Sequence, residues 1–114
     1  MIKNKNDVQI ENRLDKNGEI SLEIADLSDF WQKNPNLKMF AHVNLPVGKS
    51  IDFHIHKGES ETYYILTGKG LYNDNGESKI VTPGCVTLTP SGTGHSLKNI
   101  GDVDLEFIAL IILD

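Results

Sequence analysis

Two segments of the chain concentrate side chains that can bind a metal. His54 and His56 lie two residues apart within residues 48–68, a glutamate follows within a turn, and residues 84–99 supply a further histidine, His95. On a β-strand, positions i and i+2 lie on one face, so the first two imidazoles can reach a common ion. Neutral imidazole nitrogens together with a carboxylate oxygen suit a first-row divalent metal. The sequence therefore predicts a metal site formed by both segments.

The spacing of these residues resembles the paired motifs of the cupin superfamily. Residues 48–68 read as Gly, five residues, His-x-His, four residues, Glu, six residues and Gly, and residues 84–99 read as Gly, five, Pro-x-Gly, two, His, three and Asn. Two spaced patterns with every fixed position present are far more specific than one short motif. The resemblance implies that His54, His56, Glu61 and His95 bind the metal inside a small β-barrel.

A second glutamate, Glu59, lies two residues before Glu61 and competes with it as a ligand. The resemblance favours Glu61, because its motif has six residues between the glutamate and Gly68, and it leaves Glu59 as a loop residue near the mouth of the site. Relatives that decarboxylate oxalate use a glutamate on a lid loop over the metal. No segment of this chain clearly supplies that group, so Glu59 is the nearest candidate for a catalytic acid or base.

Three further polar residues are candidates for the site, two of them by strand parity. Tyr63 shares a face with Glu61 and is a candidate proton donor, with ordinary barrel packing as the alternative. Asp52 has the parity of His54 and is expected to line the same cavity. His42 is the fourth histidine: it would serve as an acid or base in a pocket, or stand exposed on a strand without such a role.

Hydrophobic alternation and turn residues divide most of the chain into short strands. The predicted strands cover residues 19–24, 37–45, 51–56, 62–67, 71–73, 77–81, 86–89, 95–99 and 105–113. We expect residues 51–56 to pair with residues 62–67, and Asn75-Gly76 predicts a two-residue hairpin turn. Residues 26–33 predict a short helix that begins at Asp26 or Ser28, with Trp31 as a core or lid anchor.

The predicted fold class is all-β. Short strands at regular spacing are typical of a sandwich or a barrel. The resemblance implies a double-stranded β-helix, the jelly-roll barrel of cupins, to which the sequence pattern adds a short helical segment near the N-terminus. We expect one barrel domain at residues 19–114, preceded by a polar N-terminal arm or edge strand at residues 1–18.

The last predicted strand indicates a homodimer. Residues 105–113 read Leu-Glu-Phe-Ile-Ala-Leu-Ile-Ile-Leu, whereas a strand with one face in water alternates between apolar and polar residues. Both faces of this strand are therefore expected to be covered. In so small a protein, the second cover is most simply a partner subunit.

Composition favours a single compact protein in the cytoplasm. The chain has 114 residues, of which 39% are hydrophobic, and this is enough for one core. The net charge of −5 would repel nucleic-acid phosphates and anionic membrane surfaces, so neither is an expected partner. Cys85 is the only cysteine, which fits a reducing compartment, and residues 1–18 lack the pattern of a secretory signal.

Function follows from the predicted metal. Four ligands leave an octahedral ion two positions for a small ligand, which favours one Mn, Fe, Ni or Co ion per chain, with Zn as an alternative. The resemblance implies dioxygenases, decarboxylases, lyases or isomerases. We therefore expect an enzyme that acts on a small carboxylate, phenol or sugar. The alternative is a non-catalytic cupin that binds or senses a small ligand.

Overall fold

A computed structural model of the protein describes residues 1–29 and 34–114, most of which lie in strands. The strands of these residues are β1 (Ile10–Leu14), β2 (Ile20–Asp26), β3 (Leu37–Leu45), β4 (Ser50–Ile55), β5 (Glu59–Thr67), β6 (Gly70–Asp74), β7 (Glu77–Val81), β8 (Val86–Thr89), β9 (Gly94–Asn99) and β10 (Leu105–Leu113). A 3-10 turn at Lys5–Asp7 precedes them. No helix within the described ranges is long and apolar enough to cross a membrane. The helix predicted at residues 26–33, with Trp31, falls partly outside the described residues, and Asp26 is the last residue of β2.

The strands form two sheets with a common core, which confirms the all-β class and the jelly-roll fold. The larger sheet has the order β1-β2-β3-β10-β5-β8 and the smaller one the order β4-β9-β6-β7. All pairs of neighbouring strands are antiparallel. Both sheets contribute to one buried cluster, in which the largest fully buried apolar side chains are Phe107, Leu45, Ile65, Leu97 and Leu105. Burial of such side chains is the main force that holds the two sheets together.

The predicted pairing of residues 51–56 with residues 62–67 is wrong. β4 pairs with β9, whereas β5 pairs with β10 and β8. The short link after β4, in which Gly58 has φ +74°, carries the chain from the smaller sheet into the larger one. Two consecutive strands can pair as a hairpin only where both lie in the same sheet. β6 and β7 do so, and the positive φ angles of Asn75 (51°) and Gly76 (104°) confirm the predicted turn.

The carboxy-terminal strand β10 alternates in burial although it does not alternate in hydrophobicity. Its inward side chains, Leu105, Phe107, Ala109 and Ile111, are buried in the core. The side chains between them are only half-buried, and Ile112 is 39% exposed. Within one chain, the inner face of this strand is covered and its apolar outer face stays partly open to solvent.

Residues 1–18 include an edge strand that is fastened to the barrel. β1 pairs with β2 at the edge of the larger sheet. In the turn that follows, Asp15 accepts hydrogen bonds from the backbone N–H groups of Asn17 and Glu19, and Lys49 donates to its other oxygen at 2.7 Å. The hydrogen bond from Lys49 lowers the pKa of Asp15 below its ordinary value, so the carboxylate stays charged. This ion pair ties the turn of the arm to the loop between β3 and β4.

Gly68 allows the chain to turn close to the backbone of another loop. It has φ +89°, and a Cβ atom added there would lie 2.8 Å from the carbonyl oxygen of Asp104 and 2.8 Å from Cα of Leu105. Gly18 has a similar φ of +79°, but nothing lies within 4 Å of its added Cβ. Both alanine variants share the strain of positive φ, and only Gly68→Ala also forces two backbone segments apart. We therefore expect Gly68→Ala to lower the free energy of unfolding by about 1–3 kcal/mol more than Gly18→Ala does.

Urea unfolding of the two variants and the native protein measures this difference. Equal losses for Gly18→Ala and Gly68→Ala would contradict it, because the two positions would then differ in no way that matters to stability.

Candidate metal centre

The two sheets bring four of the predicted residues together inside the barrel. His54 lies on β4 opposite His95 on β9, and His56 directly follows β4. Glu61 reaches the same place from β5 in the other sheet. One ligand atom from each of these residues lies within 4.8 Å of the others, and all of them except His54 are buried. This His/Glu cluster could hold a metal ion.

A β-bulge in β4 determines which of its side chains enter the barrel. Ile51 and His54 are three residues apart, but their partners on β9 are only two residues apart. The extra residue leaves Ile51, His54 and His56 facing one cavity and Asp52 exposed on the outside. The prediction that Asp52 lines the cavity is therefore wrong, because strand parity does not carry across a bulge.

Three imidazole nitrogens and one carboxylate oxygen converge at the cluster. Nε2 of His95 lies 3.1 Å from Nε2 of His54 and 3.1 Å from Nε2 of His56. Oε1 of Glu61 lies 3.0 Å from Nε2 of His56 and 3.0 Å from Nε2 of His95. The three rings are steeply inclined to one another, with centroids 4.6–5.0 Å apart. They therefore surround a common point and do not stack.

Two of the imidazoles are held through their Nδ1 atoms by groups that can only accept. His54 Nδ1–H donates to the backbone carbonyl of Asp52 at 2.8 Å, and His56 Nδ1–H donates to Oε2 of Glu59 at 2.7 Å. A neutral imidazole carries one proton, so these two bonds place the lone pairs on Nε2. The lone pairs therefore point into the cluster.

His95 is oriented by two hydroxyl groups that the sequence pattern did not indicate. Its Nδ1 lies 2.9 Å from Oη of Tyr72 and 2.9 Å from Oγ1 of Thr89, and these oxygens are 2.7 Å apart. Burial raises the pKa of Tyr72 above its ordinary value, so its phenol stays protonated. Alternation along the sequence is compatible with an inward Tyr72, but its contact with His95 depends on the pairing of β6 with β9.

A divalent cation would offset the repulsion that this convergence creates. Imidazole lone pairs and a carboxylate oxygen 3.0–3.1 Å apart repel one another unless a proton or a metal cation lies between them. Metal–ligand bonds of about 2.1 Å put neighbouring ligands about 3.0 Å apart at right angles and about 3.4 Å apart at tetrahedral angles. The four spacings of 3.0–3.1 Å match right angles, and the nitrogen and oxygen donors fit an octahedral ion.

Glu59 is buried beside the cluster. The motif had predicted that it lies in a loop at the mouth of the site, and this prediction is wrong. It begins β5 and is 8% exposed; Oε2 accepts from His56 and Oε1 accepts from Lys38. The hydrogen bond from Lys38 lowers the pKa of Glu59 below its ordinary value against the opposing effect of burial, and His56 adds to the lowering. Glu59 thus stays charged and orients His56. The prediction failed because β5 begins three residues earlier than its apolar alternation indicated.

Tyr63 lies in the site, and His42 does not. Tyr63 is 4% exposed, and its ring stacks on His95 with a centroid distance of 5.0 Å and an interplanar angle of 28°. Burial raises the pKa of the Tyr63 phenol well above its ordinary value, and the charge of Glu61 adds to the shift. His42 lies partly exposed on the outer face of β3, with Nε2 3.1 Å from Oε1 of Glu106. The inner face of β3 belongs to the alternate residues, so His42 cannot reach the cluster.

A cavity of about 150 Å³ adjoins the cluster, and one of its lining residues comes from the N-terminal arm. Apolar side chains of β2, β3, β4 and β10 form most of its wall, together with His54, His56, Glu61 and Tyr63. Arg13 on β1 also lines it and is the only arginine in the chain. A single arginine is a visible signal in the sequence, but no local pattern indicates that the arm lies against the barrel.

Known proteins with similar sequences and structures share this architecture. The sequence model of a family described as Cupin domain matches residues 41–111. An oxalate-binding protein from Thermotoga maritima is 42% identical over 98 residues, which cover 86% of this chain and 81% of that protein. The crystal structure of a predicted oxalate decarboxylase from Thermotoga maritima has a TM-score of 0.89 at 37% identity, with both chains covered completely. KdgF from a Halomonas species has a TM-score of 0.77 at 19% identity over 96% of this chain and 92% of its own, a likeness of fold alone.

Replacing Glu59 tests how the cluster is held in place. Glu59→Gln preserves the size of the side chain but removes the charge that orients Nδ1–H of His56. We expect the affinity for a divalent metal to fall about 10–100-fold, as is typical when the partner of a metal-binding histidine is lost. Competition with a chelator measures the affinity, and Glu77→Gln, on the exposed β6–β7 hairpin, is a control with the same change of charge. An affinity equal to that of the control would mean that Glu59 serves only to pair with Lys38.

Proposed function

The chain belongs to the cupin family, and on that premise we propose that it binds one divalent metal ion and uses it to hold a small carboxylate of the oxalate type. In this proposal the ligands of the ion are His54, His56, Glu61 and His95. The observation that carries it is the convergence of their four ligand atoms beside a cavity of about 150 Å³.

Manganese, iron, nickel or cobalt suits the ligand set better than zinc. Spacings of 3.0–3.1 Å between ligand atoms favour right angles, whereas zinc in proteins is usually tetrahedral. The cluster also contains no thiolate, which is a ligand that favours zinc. A bound ion of this kind supplies Lewis-acid attraction for the oxygens of a carboxylate.

The size of the cavity and the known relatives support oxalate or a close analogue as the ligand. A volume of about 150 Å³ has room for a few water molecules, each of which takes roughly 30 Å³ in the liquid, and so for a small carboxylate. An oxalate-binding protein is similar to this chain in sequence, and a predicted oxalate decarboxylase is similar to it in structure.

Turnover of the bound carboxylate is a second candidate function, and Tyr63 favours it. Tyr63 lines the cavity, and its protonated phenol is placed to donate to the oxygens of a ligand there. Glu59 is less suited to that task because His56 and Lys38 already hold its two oxygens. His42 lies on the other side of the sheet and is no longer a candidate.

The outer face of the larger sheet supports a homodimer. Partly exposed apolar side chains from three adjacent strands form a patch there: Tyr64, Leu66, Val86, Leu88, Ile108, Leu110 and Ile112. In the register, Tyr64 lies between Ile108 and Val86, so the patch is continuous across β10, β5 and β8. A second copy of the chain would remove this surface from water.

A cytoplasmic location is also part of the proposal. Cys85 is the only cysteine and is free, which fits a reducing compartment. The net charge of −5 disfavours nucleic acids and anionic membrane surfaces as partners. The expected partners are a small anion, which the metal would attract, and a second copy of the chain.

Metal analysis and oxalate titration test the main proposal. After loading with Mn²⁺, elemental analysis is expected to give close to one ion per chain, and calorimetry is expected to show oxalate binding that a chelator abolishes. Joint replacement of His56 and His95 by alanine should remove both properties, whereas His42→Ala should change neither. Metal content unaffected by the double replacement would contradict the ligand assignment. Metal binding without oxalate binding would contradict the ligand class.

Light scattering at micromolar concentration tests the homodimer. The native protein is expected to have the mass of a dimer. Val86→Lys combined with Leu88→Lys places two charges in the apolar patch and is expected to give monomers with unchanged metal content. Leu71→Lys, on the outer face of the smaller sheet, is the control and should remain dimeric. A native protein with the mass of a monomer would rule out the patch as an interface between copies.

A further inference from the structure

The cavity beside the metal ligands has one guanidinium group on its wall. Among the described residues that line it, Arg13 is the only arginine or lysine, and the others are apolar or belong to the metal site and Tyr63. Arg13 lies opposite Leu22 in the pairing of β1 with β2, and Leu22 is buried in the core. Cross-strand partners lie on the same face of a sheet. Arg13 therefore continues the inner face of the larger sheet beyond its last buried strand.

Arg13 also borders a larger hollow that adjoins the cavity. This hollow measures about 460 Å³ and shares Arg13, Ile24, Met39 and Ile111 with the smaller space. Arg13 thus lies on the wall of both hollows. Its side chain is 59% exposed, and its Nε donates to Oε2 of Glu11 at 2.9 Å. That bond uses one of the five N–H donors of the guanidinium group.

We propose that Arg13 is the specificity residue of the metal site and binds the carboxylate oxygens that face away from the metal ligands. The site would then select small dianions over monoanions of the same size. This inference rests on the proposed function and deepens it by naming the charge class of the ligand.

Both charge and geometry favour an arginine at this wall of the cavity. A second negative charge placed against an apolar wall is strongly disfavoured unless a cation and its hydrogen bonds compensate for the lost water. Arginine suits this task because its planar group donates two parallel hydrogen bonds to one carboxylate. The chain has a net charge of −5 and no second arginine, so its overall field does not attract anions. Arg13 supplies a local positive charge at the wall of the cavity.

Oxalate and oxamate distinguish this role from general electrostatic attraction. Oxamate has the size of oxalate, but an amide replaces one carboxylate and removes one charge. Calorimetry on the Mn²⁺-loaded native protein should show a preference for oxalate. We expect Arg13→Gln to weaken oxalate binding about tenfold or more and oxamate binding less than about threefold, so that the preference collapses.

Two further variants make the comparison specific. Arg13→Lys keeps the charge but loses the planar pair of donors, and it should lose part of the preference for oxalate. Lys16→Gln removes the same charge from an exposed position in the same arm, outside both hollows, and should behave like the native protein. Metal content and melting temperature are measured for each variant, so that a loss of folding is seen directly. If Arg13→Gln fails to fold, Arg13→Lys decides the test.

The possible results distinguish the role of Arg13 from the proposal that the metal site binds a small carboxylate. Oxalate affinity unchanged in Arg13→Gln, equal weakening of both ligands, or a preference unchanged in Arg13→Lys would overturn the role of Arg13 and leave the metal–carboxylate proposal standing. Native metal-loaded protein that binds no oxalate would overturn the proposed function and this inference with it.

Discussion

The close approach of four ligand atoms, each 3.0–3.1 Å from a neighbour, is the constraint on which the rest of the structure depends. Without a proton or a cation between them such atoms repel one another, and the protein holds the three imidazoles from behind. A backbone carbonyl on β4 holds His54, a carboxylate on β5 holds His56, and two hydroxyl groups on β6 and β8 hold His95. The anchors lie on four strands, so the geometry of the cluster depends on the whole barrel.

The core and the cluster are parts of one packed unit. Tyr63 stacks on His95 on one side and contacts Phe107 on the other, with ring centroids 5.0 Å and 4.4 Å apart. Phe107 is 1% exposed and belongs to the core between the sheets. A loss of core packing would therefore displace a ring that borders the metal ligands. Stability and metal affinity are expected to be coupled in this protein for that reason.

Charged residues around the cluster come from parts of the chain that are distant in sequence. Lys38 on β3 neutralises Glu59 on β5, which in turn orients His56. Arg13 reaches the cavity from the edge strand β1, and the ion pair of Asp15 with Lys49 fastens the arm that carries it. In this way the arm, which has no buried residue in β1, becomes part of the wall around the site.

The sequence by itself determined the all-β class, most strand positions, the Asn75-Gly76 turn and the residues of the His/Glu cluster, because these depend on local periodicity, turn chemistry and motif spacing. Tertiary structure alone decided that β4 pairs with β9, that a bulge turns Asp52 outward, and that Glu59 is buried behind His56. It also decided that His42 lies outside and that Tyr72 and Arg13 join the site. These features could not be read from the chain because they depend on contacts between segments far apart in sequence. Such contacts arise only when the two sheets close around a common core.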